Sequence, residues 1–138
     1  MDLFAVATQV ALALAIPTPK LRVYPYGTKS VEAPAALFTL PDSIDYHQAY
    51  GTGASKITDA AVLVLVRDHA RREAFKTLAA YCKATGVTSV KAALEGYAPA
   101  GAAWDALTVT SVDFDVISMA GADYLAALFH LDLFGTGA

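Results

Sequence analysis

The spacing of apolar positions shifts from helical to alternating and back along the chain. Leu3, Val6, Val10 and Leu14 recur every three or four residues, with Thr8 and Gln9 off that stripe. This predicts an amphipathic helix over 2–16. Pro17-Thr18-Pro19 ends it as a stiff connector, because proline fixes φ and restricts the residue before it. Short strands are predicted at 21–24, closed by Pro25, and at 34–40, where Pro34 stands at a strand start that tolerates a missing donor. Residues 41–58 are the least regular segment. With Pro41, Asp42, Gly51 and Gly53 around Tyr46, His47 and Tyr50, they read as a long loop or a loose β-hairpin arm.

The clearest strand spans 59–67. Ala61, Leu63 and Leu65 point one way and Val62, Val64 and Val66 the other, which predicts burial on both faces. One face fits under a helix of the same domain; the other requires a second helix or a neighbouring subunit. Asp68 or His69 opens a helix over 69–85, with Phe75, Leu78, Ala79 and Cys82 as its buried stripe and Gly86 as its C-cap. Thr88 or Ser89 caps a short helix over 88–95, ended by Gly96 and Pro99. Residues 104–118 read as a long strand that changes phase near Ser111. Val112, Phe114 and Val116 share one face, and Asp113 and Asp115 the other. A glycine-containing turn at 119–123 joins it to a strand over 124–134, whose buried face carries Leu125, Phe129, Leu131 and Leu133, as in an antiparallel hairpin. The order predicts a single α+β domain over 1–138, a mostly antiparallel β-sheet with helices packed on one face.

Composition sharpens this. The 138 residues suffice for one domain with its own core; 56% are apolar and only 17% charged, against the usual quarter. A disordered tail is excluded, and the surplus apolar surface is most simply covered in an oligomer. Ten basic residues against thirteen acidic give −3. The densest basic cluster, Arg67, Arg71 and Arg72, is interrupted by Asp68, so there is no basic stripe of the kind that displaces counterions from duplex DNA. Cys82, alone, makes neither an internal disulfide nor a cysteine zinc site. The apolar run from Val10 to Ile16 imitates an export signal, but no Lys or Arg precedes it and Asp2 stands where the positive region belongs. No stretch reaches the roughly eighteen apolar residues of a membrane span, so a soluble protein without a membrane partner is expected.

Catalytic patterns are sparse. Gly51-Thr52-Gly53-Ala54-Ser55-Lys56 looks a little like a phosphate loop, yet Lys56 leads into a strand where a Walker loop opens a helix, so it reads as a loop. Asp113 and Asp115 form a carboxylate pair and His130 and Asp132 repeat the spacing, with no nucleophile beside either. His47, His69 and His130 lack metal-ligand spacing, and there is no Gly-x-Ser-x-Gly elbow. No catalytic residue, cofactor or metal is expected.

Several segments together resemble a known family. These are Leu21-Arg22-Val23-Tyr24-Pro25-Tyr26, Ala33-Pro34-Ala35-Ala36, the tyrosine-bearing glycine loop from Asp45-Tyr46 to Gly53, and the strand Ala61 to Val66 with the helix ending Leu78-Ala79-Ala80-Tyr81. Gly86-Val87-Thr88-Ser89-Val90-Lys91-Ala92-Ala93-Leu94 and Gly121-Ala122-Asp123-Tyr124-Leu125 follow. In order, spacing and residue type the chain resembles the tail terminator, or tail completion, proteins of long-tailed bacteriophages, in the version common in phages of actinobacteria. The resemblance implies a small α+β subunit that forms a homo-oligomeric ring, a hexamer, on the head-proximal end of the tail tube. It implies a virion protein assembled in the host cytoplasm, with the tail tube protein and a head-completion (stopper) protein as partners, and DNA passing the lumen without specific binding. The candidate subunit or tube contacts are then Tyr46, His47, Tyr50, Gly51, Gly53 and Lys56 in the arm, Val62, Val64 and Val66 on the central strand, and Asp113 and Asp115. The valines have a second reading, cover by the first helix. Asp113 and Asp115 fit solvent, a lumen or another subunit equally. A stopper-like neck component, and a small-molecule binder or enzyme with a polar pocket around His130 and Asp132, are the alternatives.

Overall fold

In a computed structural model, residues 3–14, 21–26, 34–46, 54–68, 71–97, 103–119 and 121–136 are described. The elements run α1 (Leu3–Ala13), β1 (Arg22–Tyr24), β2 (Ala35–Thr39), β3 (Ser43–Tyr46), β4 (Ala54–Arg67), α2 (Arg71–Tyr81), α3 (Val90–Glu95), β5 (Ala106–Met119) and β6 (Ala122–Thr136). They build a six-stranded sheet in the order β1-β2-β4-β6-β5, with β3 pairing the first part of β4. β1 and β2 run parallel and the other pairings are antiparallel. This is the expected α+β architecture.

Strand alternation sorts the side chains into two layers. Ala60, Val62, Val64 and Val66 of β4, Leu125, Ala127, Phe129, Leu131 and Leu133 of β6, and Val109 of β5 face one side, where they form one core with Val6 and Val10 of α1, Leu78 and Tyr81 of α2, and Val90 and Leu94 of α3. The helices therefore lie on one face. The reverse face carries a smaller cluster of Leu37, Leu65, Tyr124 and Ala126, with Tyr24, Leu63 and Ile117 packed against it. The apolar two-sided strand thus has a core on both sides, and the larger one is made by the chain's own helices.

Two irregularities shape the long strands. The phase change near Ser111 is a register shift between Val109 and Ser111 in the β5–β6 ladder. A second shift, between Ile57 and Ala60, bulges β4, and Asp59 sits in it at φ 58°, a left-handed conformation uncommon outside glycine. β4 consequently starts at Ala54, five residues before the predicted start. Apolar alternation breaks at the bulge although the ladder continues through it. The described part of the 41–58 segment is β3 and the start of β4, the hairpin form of the expected arm; residues 47–53 lie outside the described residues.

The helix predicted over 69–85 is described from Arg71 and ends at Tyr81, four residues before the predicted end; residues 69–70 lie outside the described residues. Gly86 (φ 104°) is not its C-cap but sits in the turn toward α3, where its carbonyl accepts from Ser89 N–H. At the end of α2, Cys82 N–H donates to Leu78 O and Ala79 O, and side chains take carbonyls beyond them. Thr88 Oγ1 donates to Ala80 O at 2.9 Å and Ser89 Oγ to Lys83 O, while Ser89 Oγ also accepts from Ala92 N–H at 3.0 Å as the N-cap of α3. One buried serine thus caps α3 and ties the segment after α2 to it. The buried stripe is also corrected. Ala74, Leu78 and Tyr81 face the sheet, while Phe75 and Ala79 are exposed and Cys82 is half-buried. Both stripes share Leu78 and differ by about one residue, or 100° of helix rotation.

Candidate functional site

Turning α2 by one residue leaves an unfilled space on the helix-bearing side. β5 is the last strand of the sheet, and α2 packs mainly over β4 and β6, so among the described residues no helix packs chiefly on the C-terminal half of β5. Phe114 and Val116 stand on that face with 65% and 52% of their surface exposed, and Phe75 across from them is 68% exposed. Between them runs an open groove of about 580 Å³, lined mainly by Phe75, Leu78, Ala79, Phe114, Val116 and Leu125. Arg71 lines it at one end, held by Asp68 through Nε–Oδ1 at 2.9 Å and Nη2–Oδ2 at 2.5 Å. Cys82 also lines it; burial pushes its thiol up to about 11, so it stays protonated at neutral pH.

A second apolar surface lies at the other end of the sheet. Phe4 of α1 and Tyr26 after β1 are 66% and 61% exposed and stack with ring centroids 5.1 Å apart and planes 7° apart. Thr8 Oγ1 and Tyr26 Oη are hydrogen-bonded at 2.7 Å. Leu40 beside them is 80% exposed.

The reverse face of the sheet carries a polar cluster. His130 of β6 is held between two carboxylates, Nδ1 to Asp59 Oδ1 at 2.5 Å and Nε2 to Asp113 Oδ2 at 2.7 Å. The bulge aims Asp59 at the ring, and Asp132 Oδ1 accepts from Asp59 N–H at 3.5 Å. The Asp59 hydrogen bond, then that of Asp113, raises the His130 pKa above its ordinary value against an opposing desolvation. Asp59 is held below the usual carboxylate range, first by the same bond. The two carboxylates sit on opposite ring nitrogens and do not converge on one point. Among the described residues, no group of three or more His, Cys, Asp or Glu is placed to hold a metal ion.

The predicted contact residues are dispersed. Val62 and Val64 are fully buried and Val66 nearly so, beneath the chain's own helices. They are unavailable to a partner, and cover by the chain itself replaces the subunit contact expected for them. Lys56 puts its Nζ over the Phe134 ring, 5.2 Å from the centroid, within the same chain. Asp113 is engaged by His130, and Asp115 Oδ1 accepts from Val116 N–H at 2.8 Å. Tyr46 lies in β3, but its side chain, like His47, Tyr50, Gly51 and Gly53, lies outside the described residues. The exposed apolar residues Phe4, Tyr26, Phe75, Phe114 and Val116, and Asp59 as a partner of His130, were not among the predicted contacts. Alternation assigns Phe114 and Val116 to a face, but only the strand order shows that this face ends uncovered.

No protein-family model matches the chain, and no curated protein is a significant match to its sequence. Among the described residues, no helix is long and apolar enough to cross a membrane.

Proposed function

We propose that the chain is a structural virion subunit, a tail terminator that caps the head-proximal end of a phage tail tube as a homo-oligomeric ring. The observation that carries this reading is the α2–β5 groove, with exposed Phe75, Phe114 and Val116 beside the last strand of the sheet. Exposed apolar surface of this kind marks a protein-binding face. The order and spacing of the segments, which resemble the terminator family, supply the partners: the tail tube protein on one side, and the head-completion protein on the other. The mechanism is geometric. A ring matched to the last tube layer stops further addition, because its outer face no longer repeats the surface that recruits tube subunits. DNA passes the lumen without specific contacts. The Asp59–His130–Asp113 cluster lies on the face of the sheet, with the Asp113 side chain 75% exposed and no nucleophile within the cluster, which suits a structural role better than catalysis.

The test is polymerisation of the cognate tube protein with increasing amounts of this chain, followed by electron microscopy. The expected result is shorter tubes that no longer elongate from one end. An unchanged length distribution at several-fold excess over tube ends overturns the reading.

A further inference from the structure

We infer that His130 is a proton-operated clamp on one corner of the sheet, the corner made by β3 and the first part of β4. With the ring protonated this corner is fixed to β6 and β5; with the ring neutral it opens locally. The inference goes beyond the ring-assembly reading and does not rest on it. Its basis is the place of His130 between two faults in the ladders. His130 is opposite Ala61 of β4 on one side and Ser111 of β5 on the other. The β4 register shifts between Ile57 and Ala60, and the β5 register between Val109 and Ser111. Bulges disrupt the ladder locally and bend the strand, so this line across three strands is where the sheet hinges most readily. β4 also changes partner there. Thr58 and the residues before it pair with β3, while Ala61 and the residues after it pair with β2.

Side chains bridge the line where the ladders are faulted. His130 reaches Asp59 in the β4 bulge through Nδ1 at 2.5 Å, and Asp113 beyond the β5 shift through Nε2 at 2.7 Å. Thr110 Oγ1, inside the β5 shift, donates to His130 O at 3.2 Å. Asp59 depends on this hold. It stands at φ 58°, and its N–H makes only a long bond, 3.5 Å, to Asp132 Oδ1. The charged groups around the ring are Asp59 of β4, with Asp42 bonded to it from before β3, then Asp113 of β5 and Asp132 of β6. Asp115 lies two residues farther along the same face, and Lys56 of β4, also on that face, sits over the Phe134 ring. The acidic surroundings favour the imidazolium, and the Asp59 bond, then the Asp113 bond, raises the His130 pKa. A neutral ring has one N–H for two carboxylates and sets a lone pair against the other, so it cannot hold β4 and β5 together. Tyr46 and Lys56 ride on this corner, so one proton decides whether the segment that carries them is fixed.

The experiment is amide hydrogen exchange of the full chain by NMR, at about pH 6 and about pH 9 and at several low urea concentrations, with the intrinsic rate at each pH divided out. Amides of residues 43–46 and 54–58 report the corner, and those of 62–66 report the core. In wild type the corner amides are expected to open with a weaker urea dependence than the core amides, because local opening exposes less surface than unfolding. Their opening should rise about tenfold from the acidic to the alkaline condition, the scale of one hydrogen bond to a charged group. His130→Gln should show the alkaline level of opening at both pH values. Asp59→Asn, which tolerates the positive φ, should raise the opening in the acidic condition and flatten its rise, and it reads the same loss where His130→Gln does not fold. Corner amides with the urea dependence of the core overturn the clamp. So does a wild-type opening that ignores pH, or one that rises as steeply in the variants.

Discussion

His130 Nε2 and Asp113 Oδ2 lie 2.7 Å apart on neighbouring strands, although in the ladder Asp113 is opposite Leu128 and His130 opposite Ser111. The contact is diagonal, and it leaves the Nδ1 edge of the ring to Asp59. A neutral imidazole has one N–H, so one of its two carboxylates then faces a lone pair. Only the imidazolium donates to both.

Stability is therefore expected to depend on pH with a definite sign. The His130 pKa is raised in the folded state, so its contribution is complete below the ordinary value of 6.5 and is lost as pH rises through the folded value. Asp59 is lowered, so its contribution is present above 3.8 and is lost as pH falls through its folded value. The cluster stabilises most between 3.8 and 6.5. The Tm difference between wild type and His130→Gln should be largest near about pH 5.5 and shrink by about pH 9. A difference that grows toward alkaline pH contradicts the assignment.

Asp59 separates charge from backbone geometry. Asn tolerates its positive φ, so Asp59→Asn should keep the bulge and lose the carboxylate. The His130 titration midpoint, followed by NMR of the ring Cε1 proton, should move down toward the ordinary value. Asp59→Val, β-branched at the same φ, should melt lower at every pH. An unmoved midpoint in Asp59→Asn would show that Asp113 alone holds the ring.

Ser89 gives a helix-cap prediction. It is fully buried, donates to Lys83 O and accepts from Ala92 N–H. Ser89→Ala should cost about 1–2 kcal/mol in urea unfolding, the usual loss for a buried cap. Ser89→Thr should recover most of it. Equal stability of the Ala variant and wild type contradicts the cap role.

One row across the sheet runs Val64–Ala127–Phe114, all on the helix side. Val64 is fully buried, while Phe114 is 65% exposed. Val64→Asp buries an unpaired charge and should lose several kcal/mol, enough to unfold a domain of ordinary stability. Phe114→Asp should stay within about 0.5 kcal/mol of wild type. Circular dichroism melts of the two variants read this contrast directly, and comparable losses in both would move the core boundary beyond β5.

Periodicity made the layers of this fold readable, and in β5 even the phase change at Ser111 marks the register shift. It failed where the answer depends on neighbours. The stripes Ala74–Leu78–Tyr81 and Phe75–Leu78–Cys82 are both apolar, and only packing on β4 and β6 decides which faces the sheet. The bulge at Asp59 interrupts alternation without ending the strand, so β4 read five residues short. The cluster around His130 joins residues 71 and 17 positions apart, a separation with no local pattern. The groove depends on β5 being the last strand, which is a property of strand order and not of any one strand.

The most direct measurement is cryo-electron microscopy of tail tubes incubated with this chain, with averaging of the tube ends. The account predicts one added ring at a single end of each tube. Tubes with two bare ends, or density distributed along the tube wall, would contradict it.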